Sequence, residues 1–136
     1  MPKLSDIKLR AVIAGALTDN VATLGIMLML MTALSSQGLS DDEVALRMKS
    51  LSGVLLSFII GMGCTGLGGY VAGRMARQAE VLHGAIVAVL GIVLVLVFPE
   101  EGPTAWHHIA GLAGMLPAGM AGGYLALKRR VPTATE

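Results

Sequence analysis

The chain has 136 residues, of which 54% are hydrophobic and only 14% are charged. Soluble domains carry about 25% charged residues, and a chain this small has a large surface to cover, so the composition argues against a soluble monomer. The net charge of +1 removes the electrostatic case for a nucleic-acid partner. The single cysteine, Cys64, excludes an intrachain disulfide and a cysteine-built metal site. We therefore expect a small multi-pass membrane protein.

Four apolar segments are long enough to cross a bilayer. A transmembrane helix needs about 20 apolar residues to cross about 30 Å of hydrocarbon. The predicted spans cover residues 11–34, 51–73, 81–98 and 107–127. The sequence therefore predicts an all-α fold in which a four-transmembrane-helix bundle forms a single domain over residues 1–130. The short polar tail at residues 131–136 is predicted to be disordered.

Lysine and arginine are biased to one side of the predicted bundle. Most of them lie before the first span, between the second and third spans, or after the fourth: Lys3, Lys8, Arg10, Arg74, Arg77, Lys128, Arg129 and Arg130. The opposite side receives two basic and five acidic residues: Arg47, Lys49, Asp41, Asp42, Glu43, Glu100 and Glu101. Basic loops stay in the cytoplasm. Both termini are therefore predicted to be cytoplasmic (N-in, C-in), with the protein in the inner or plasma membrane.

The segment after the first span predicts a short additional helix. Ser40 and Glu43 have the spacing of a capping box. Asp41 suits the positive end of the helix dipole, and Glu43 and Arg47 can pair across one helical turn. We expect a helix that begins near Asp41. It either continues into the second span or lies on the outer surface and bends near residues 50–53.

The inner ends of the second and fourth spans are similar to each other. Residues 68–72 read Gly-Gly-Tyr-Val-Ala and residues 122–126 read Gly-Gly-Tyr-Leu-Ala, and basic residues follow each. A weaker match joins residues 25–29 to residues 91–95. These matches predict two helical hairpins in the same orientation, a parallel repeat. The alternative is that glycine-rich apolar segments match through composition alone.

One motif also resembles a known pattern. The sequence GGYVAGR at residues 68–74, followed by EVLHG at residues 80–84, resembles a pattern found in uncharacterised small bacterial four-helix membrane proteins. The resemblance covers the second and third spans, under a third of the chain. It implies a bacterial four-helix membrane protein, and it brings no activity, cofactor or catalytic residue with it.

Small residues recur at every fourth position of two spans. Helices in a bilayer associate through close packing, which small residues permit. The second span carries Gly53, Ser57, Gly61, Thr65, Gly69 and Gly73, and the fourth carries Gly114, Ala118 and Gly122. The favoured interpretation is that these stripes hold one bundle together, as in a glycine zipper. The alternative is that part of them binds a partner.

Asp19 lies within the first span, where an ionised carboxylate is costly. Polar or helix-distorting residues are predicted to share its depth in one interior layer: Asn20, Thr23, Cys64, Thr65 and Pro117. Two interpretations of Asp19 stay open. It is a neutral structural acid that bonds Thr23 or Thr65, or it is a proton or cation site like the buried acids of transporters.

No nucleophile–base pair, phosphate loop or cofactor fingerprint occurs in the sequence. Glu80 and His83 provide only one of the two Glu-x-x-His motifs that a di-iron site needs. We expect these two residues to form a pair at the membrane interface that meets Arg74 or Arg77. The sequence therefore predicts no enzyme activity, no cofactor and no bound metal.

Two functions are compatible with these features. The favoured one is a non-enzymatic membrane protein that packs as a homo-oligomer, or as an accessory subunit bound to another membrane protein. The alternative is a small proton- or cation-coupled transporter or channel that uses Asp19. A channel needs a polar path from both sides, and the outer halves of two spans, residues 25–34 and 91–98, are almost wholly apolar.

Overall fold

The computed structural model describes residues 7–98 and 105–130 of the chain. In chain order the helices are α1 (Leu9–Ser35), α2 (Asp41–Lys49), α3 (Leu51–Ala76), α4 (Glu80–Val97) and α5 (Ala105–Lys128). No strand occurs in this part of the chain, so the predicted all-α fold is confirmed. The predicted disorder of residues 131–136 falls outside the described residues.

Four of these helices are long and apolar enough to cross a membrane. They are α1, α3, α4 and the part of α5 over Ile109–Lys128. Their positions agree with the four predicted spans, although α1 begins earlier, at Leu9, and α3 continues to Ala76. This arrangement is that of a multi-pass membrane protein.

The helix between the first two spans is separate from α3. Its capping box is formed as predicted: the Glu43 N–H donates to Ser40 Oγ at 3.4 Å, and the Ser40 N–H donates to the Glu43 carboxylate at 2.8 Å. Ser50 then adopts an extended backbone with ψ of 159°, which ends α2. The same residue caps α3, because its hydroxyl accepts from the Gly53 N–H. Of the two predicted paths, the structure therefore has the bend near residues 50–53.

Packing is concentrated at one end of the bundle. All buried residues of α1 lie in its first half, and so do those of α4. Beyond them, residues 20–35 of α1 and 89–97 of α4 are exposed or only half-buried. We call the region where α1 and α4 begin and α3 and α5 end the packed half, and the remainder the open half.

Glycine backbones touch in the packed half. A Cβ atom built at Gly15 of α1 would lie 2.6 Å from the carbonyl oxygen of Gly68 on α3, and one built at Gly68 would lie 2.6 Å from the Gly15 oxygen. Gly84 of α4 and Gly119 of α5 approach each other in the same way. Real Cβ atoms do not come this close to other atoms, so a larger residue would force the helices apart.

Candidate functional site

Asp19 is a buried carboxyl group within a membrane-spanning helix. It is only 6% exposed, and Thr65 Oγ1 of α3 lies 3.3 Å from its Oδ2. Thr23, one turn further along α1, has its hydroxyl 3.5 Å from Oδ1. On the α4 side, a Cβ atom built at Gly91 would lie 3.8 Å from Oδ2. The carboxyl group therefore points into the bundle, between α1, α3 and α4.

The two hydroxyl contacts of Asp19 are long. O–H···O hydrogen bonds are usually about 2.5–3.0 Å, whereas Thr65 and Thr23 lie 3.3–3.5 Å from the carboxyl oxygens. A charge within hydrocarbon is costly unless strong partners compensate for lost hydration. Among the described residues, these two long contacts are the side-chain hydrogen bonds of the Asp19 carboxyl group.

The other members of the predicted interior layer do not gather around Asp19. Cys64 is buried beside Thr65 and is a free thiol. Asn20 is exposed and donates to the Ala16 carbonyl of its own helix at 2.8 Å. Pro117 is exposed on α5. Asn20 and Pro117 thus lie outside the interior group, contrary to the prediction. For Asn20 the reason is geometric, because adjacent helical residues point about 100° apart.

In the described part of the chain, the first three members of the α3 stripe lie against α2, bond within α3 itself, or face open space. Gly53 lies against the backbone of Arg47 and Met48, where α2 meets α3. The Ser57 hydroxyl donates to the Gly53 carbonyl within α3 at 2.9 Å. A Cβ atom built at Gly61 would have no neighbour within 4 Å. Gly61 therefore lines no contact with another helix in the described part of the chain.

The later members of the α3 stripe face different helices in turn. Thr65 faces Asp19 of α1, whereas Gly69 lies against the backbone of Gly119 on α5. Gly73 faces both Ala126 of α5 and Glu80 of α4, each with its Cβ within 3.2 Å of a Cβ built at Gly73. Positions four residues apart drift about 40° per step around a helix. A long stripe of this spacing therefore contacts several neighbouring helices instead of a single one.

The α5 stripe packs mainly against α3. A Cβ atom built at Gly114 would lie 2.8 Å from the end of the Met62 side chain. The carbonyl oxygen of Ala118 lies 3.5 Å from a Cβ atom built at Gly66, and Gly122 contacts the Gly66 backbone directly. The predicted stripe of α5 is therefore a contact surface within the chain.

Sequence reasoning did not select the tightest contact of α1. Gly15 and Gly68 form it, and neither was among the predicted packing residues. The signal was available, because Ala11, Gly15 and Asp19 also follow one another at intervals of four, and all three are buried. Asp19, at the end of this series, is conspicuous as a polar residue in an apolar span, whereas the small residues before it carry no chemical signal of their own.

A second polar cluster lies at the end of the packed half. Glu80 is 5% exposed, and its Oε1 pairs with Arg130 of α5 at 2.9 Å. The same Arg130 nitrogen also donates to the Arg77 carbonyl. The predicted partner, the side chain of Arg74 or Arg77, is thus wrong. Arg77 and Ala79 have left-handed backbones, with φ of 56° and 46°, and in the tight turn that they form Glu80 meets the end of α5.

His83 is fully buried and bonded at both ring nitrogens. Nδ1 lies 3.0 Å from the Ala79 carbonyl, to which it donates, and Nε2 accepts from the backbone N–H of Lys8 at 3.0 Å. The Lys8 ammonium donates in turn to the Ala76 carbonyl at 2.8 Å, at the end of α3. His83 and Lys8 thereby join the start of α1 to α3 and α4. This is a structural role for His83.

No family model matches the chain, and no curated protein or solved structure matches it either. The resemblance of residues 68–74 and 80–84 to small bacterial four-helix membrane proteins stays a prediction.

Proposed function

We propose that this protein is a non-enzymatic membrane protein whose open half associates with a second copy of the chain or with another membrane protein. The observation that carries the proposal is a set of glycines that have no close neighbour among the residues that the structure describes. Cβ atoms built at Gly25 of α1, Gly61 of α3 and Gly111 of α5 would meet no described atom within 4 Å. Small residues favour helix association in bilayers because they let backbones approach closely.

The packed half provides the contrast that supports this interpretation. Every glycine pair that brings two spanning helices together lies there, as Gly15 with Gly68 and Gly84 with Gly119 illustrate. The closest helix contacts in the described part of the chain are thus made through glycines. Gly25, Gly61 and Gly111 are equally suited to such contacts, and a helix from outside the chain would supply the partner that the described residues do not provide.

The same proposal includes a location and a topology. The protein lies in the plasma membrane or inner membrane, with both termini in the cytoplasm and the chain arranged as two parallel hairpins. Support comes from the packed end, where Lys8, Arg74 and Arg130 lie on the helix ends. Asp41 and Glu43 lie on the loop at the other end of α1, and basic ends favour the cytoplasm.

A small proton- or cation-coupled transporter is the second candidate. The observation that favours it is the buried Asp19 carboxyl group, which has only long contacts with two hydroxyls. A transport path must also continue to both surfaces. The apolar residues 25–34 and 91–97 offer no polar groups for it except Thr32, whose hydroxyl is bonded to its own helix. Association therefore remains the favoured function.

The Gly61→Leu variant tests the association surface, with Gly69→Leu as the matched change in the same helix. Gly61 faces open space, so its substitution should leave the melting temperature of the protomer within about 2 °C but reduce the oligomer or complex. Gly69 lies against Gly119, so its substitution should lower the melting temperature. Thermal melting in detergent and native mass spectrometry measure the two effects.

The wild-type protein extracted from its own membrane gives the direct test. Native mass spectrometry should detect either a multiple of the 14.0 kDa chain or the chain with a co-purifying membrane subunit. A protein that is only monomeric under these conditions contradicts the proposal. So does a Gly61→Leu variant that associates as well as the wild type.

A further inference from the structure

A basic cleft lies where the ends of α3 and α5 meet the start of α4. Its volume is about 350 Å³, and Arg74, Arg77, Arg129, Arg130 and Glu80 line it together with two small residues. Four arginines therefore surround one glutamate. This is the highest local density of basic side chains in the described part of the chain.

The positive charge of this cleft is only partly neutralised. Glu80 pairs with Arg130, and the guanidinium of Arg129 lies 5.6 Å from the centre of the Tyr70 ring. Within residues 7–98 and 109–130, the side chains of Arg74 and Arg77 pair with no acidic group. Guanidinium groups are planar forks of donors that match the oxygens of a phosphate. The cleft thus has the chemistry of a phosphate site.

An apolar groove adjoins the basic cleft. It runs between α3 and α5 and has a volume of about 560 Å³, and Arg129 lines both the groove and the cleft. From Tyr70 the groove follows α3 back to Met62, about 12 Å along the helix at 1.5 Å per residue. Small residues, among them Gly66 and Ala121, contribute to its lining. A groove of this length, which starts at a basic cleft and continues into the spanning region, can hold part of an acyl chain.

We propose that the protein binds an anionic phospholipid at this place. The phosphate lies among Arg74, Arg77 and Arg129, and one acyl chain lies in the groove between α3 and α5. Basic pockets between transmembrane helices are known to hold anionic headgroups. A soluble phosphate compound would use the cleft alone, whereas a lipid would use both the cleft and the groove, which share Arg129 in their linings. The basic cleft lies at the end of the packed half, away from Gly61, so binding of the headgroup does not depend on the association proposed above.

The test uses the full chain in nanodiscs that contain phosphatidylglycerol and phosphatidylcholine with identical acyl chains. Native mass spectrometry should show that the released protein retains phosphatidylglycerol in preference to phosphatidylcholine. The double variant Arg74→Gln, Arg77→Gln should weaken phosphatidylglycerol retention at least about tenfold, since two basic residues near an anionic headgroup are removed. The matched control, Arg10→Gln with Arg47→Gln, removes the same charge away from the cleft and should change retention less than about twofold.

The groove is tested separately from the cleft. Ala121→Trp fills the groove and should also weaken lipid retention, whereas Ala113→Trp, at an exposed position of the same helix outside the groove, should not. Circular dichroism should show unchanged helix content in all four variants. Equal retention of the two lipids, or equal behaviour of the arginine variant and its control, overturns the proposal. Displacement of lipid by millimolar inorganic phosphate, with no effect of Ala121→Trp, also overturns it in favour of a soluble phosphate ligand.

Discussion

The burial of Asp19 depends on the glycines around it. A Cβ atom built at Gly68 would lie 2.9 Å from the Cβ of Asp19 and 2.6 Å from the Gly15 carbonyl oxygen. Only a residue without a side chain lets α1 and α3 approach this closely. That approach places the carboxyl group within 3.3 Å of Thr65 and away from lipid. The close packing of α1 against α3 therefore also buries the Asp19 carboxyl group.

At the residue scale, Asp19 allows a test of the neutral structural acid. Asp19→Asn keeps the shape of the side chain and an acceptor for Thr65, so the stability of the protein should barely change. Asp19→Leu removes that acceptor and leaves Thr65, which is 2% exposed, without its partner. The free energy of unfolding should then fall by about 1–3 kcal/mol. Thermal melting of both variants in the same detergent measures the difference.

The same Asp19→Asn variant separates the two candidate functions. If the acid is structural, proton and cation flux into liposomes should be equally low for the wild type and the variant. Flux in the wild type that disappears in a folded Asp19→Asn protein would establish the transporter and contradict a purely structural acid. A large loss of stability in Asp19→Asn would show instead that Asp19 carries a charge which its surroundings require.

At the scale of the element, α2 differs from the spanning helices because polar local contacts define it. The Ser40 N–H donates to the Glu43 carboxylate at 2.8 Å, and so does the Ser40 hydroxyl. These donors favour the ionised form and lower the pKa of Glu43, the N–H more than the hydroxyl. Since the pKa is lower in the folded helix than in the unfolded chain, the stabilisation is present above the ordinary glutamate pKa. It is lost as the pH falls through the lowered value.

The start of α2 should therefore fray in acid. The carboxyl carbon of Glu43, followed by NMR, should titrate with a midpoint below that of an ordinary glutamate, and Ser40→Ala should return the midpoint toward the ordinary value. The amide shifts of α2 should move toward unstructured values over the same pH range. A Glu43 midpoint that Ser40→Ala leaves unchanged would contradict a contribution of the Ser40 hydroxyl, because alanine keeps the backbone N–H that donates to the same carboxylate.

The helices can be predicted from the sequence more readily than the contacts between them. Spanning helices depend on the length and apolarity of one segment, and the α2 cap depends on two residues three positions apart, so both are local properties. The bond between His83 and the Lys8 N–H joins residues 75 positions apart. The pair of Glu80 with Arg130 depends on a turn in which Ala79 has a left-handed backbone, which is uncommon for alanine. No short-range pattern predicts contacts of these kinds.

The candidate site was predictable only in part for the same reason. An acid within an apolar span is conspicuous, and Thr65 was a natural partner because it shares the predicted depth of Asp19. Depth along a helix, however, does not determine which way a side chain points. Asn20 and Pro117 have a suitable depth and still face outward. Their direction depends on how α1 and α5 rotate against α3, which glycine contacts such as that of Gly66 with Gly122 determine.

At the scale of the whole molecule, the two ends of the bundle differ in packing and in charge. The packed end holds the buried polar residues Glu80 and His83 and the arginines of the cleft. The other end leads into α2, whose first turn is acidic. A chain with this asymmetry has a strong preference for one orientation, because basic segments resist translocation whereas acidic residues contribute little.

The proposed topology rests on this preference and can be tested with reporter fusions. Fusions at residues 1 and 136 should both report a cytoplasmic position. Fusions at Gly38, between α1 and α2, and near Glu101, between the last two spans, should report the opposite side. The two outer positions control for each other, because they lie in different hairpins of the proposed parallel repeat. A cytoplasmic residue 1 combined with a non-cytoplasmic residue 136 would mean that one of the four apolar helices does not cross the membrane. The repeat of two equally oriented hairpins would then be wrong, since each hairpin needs two full crossings.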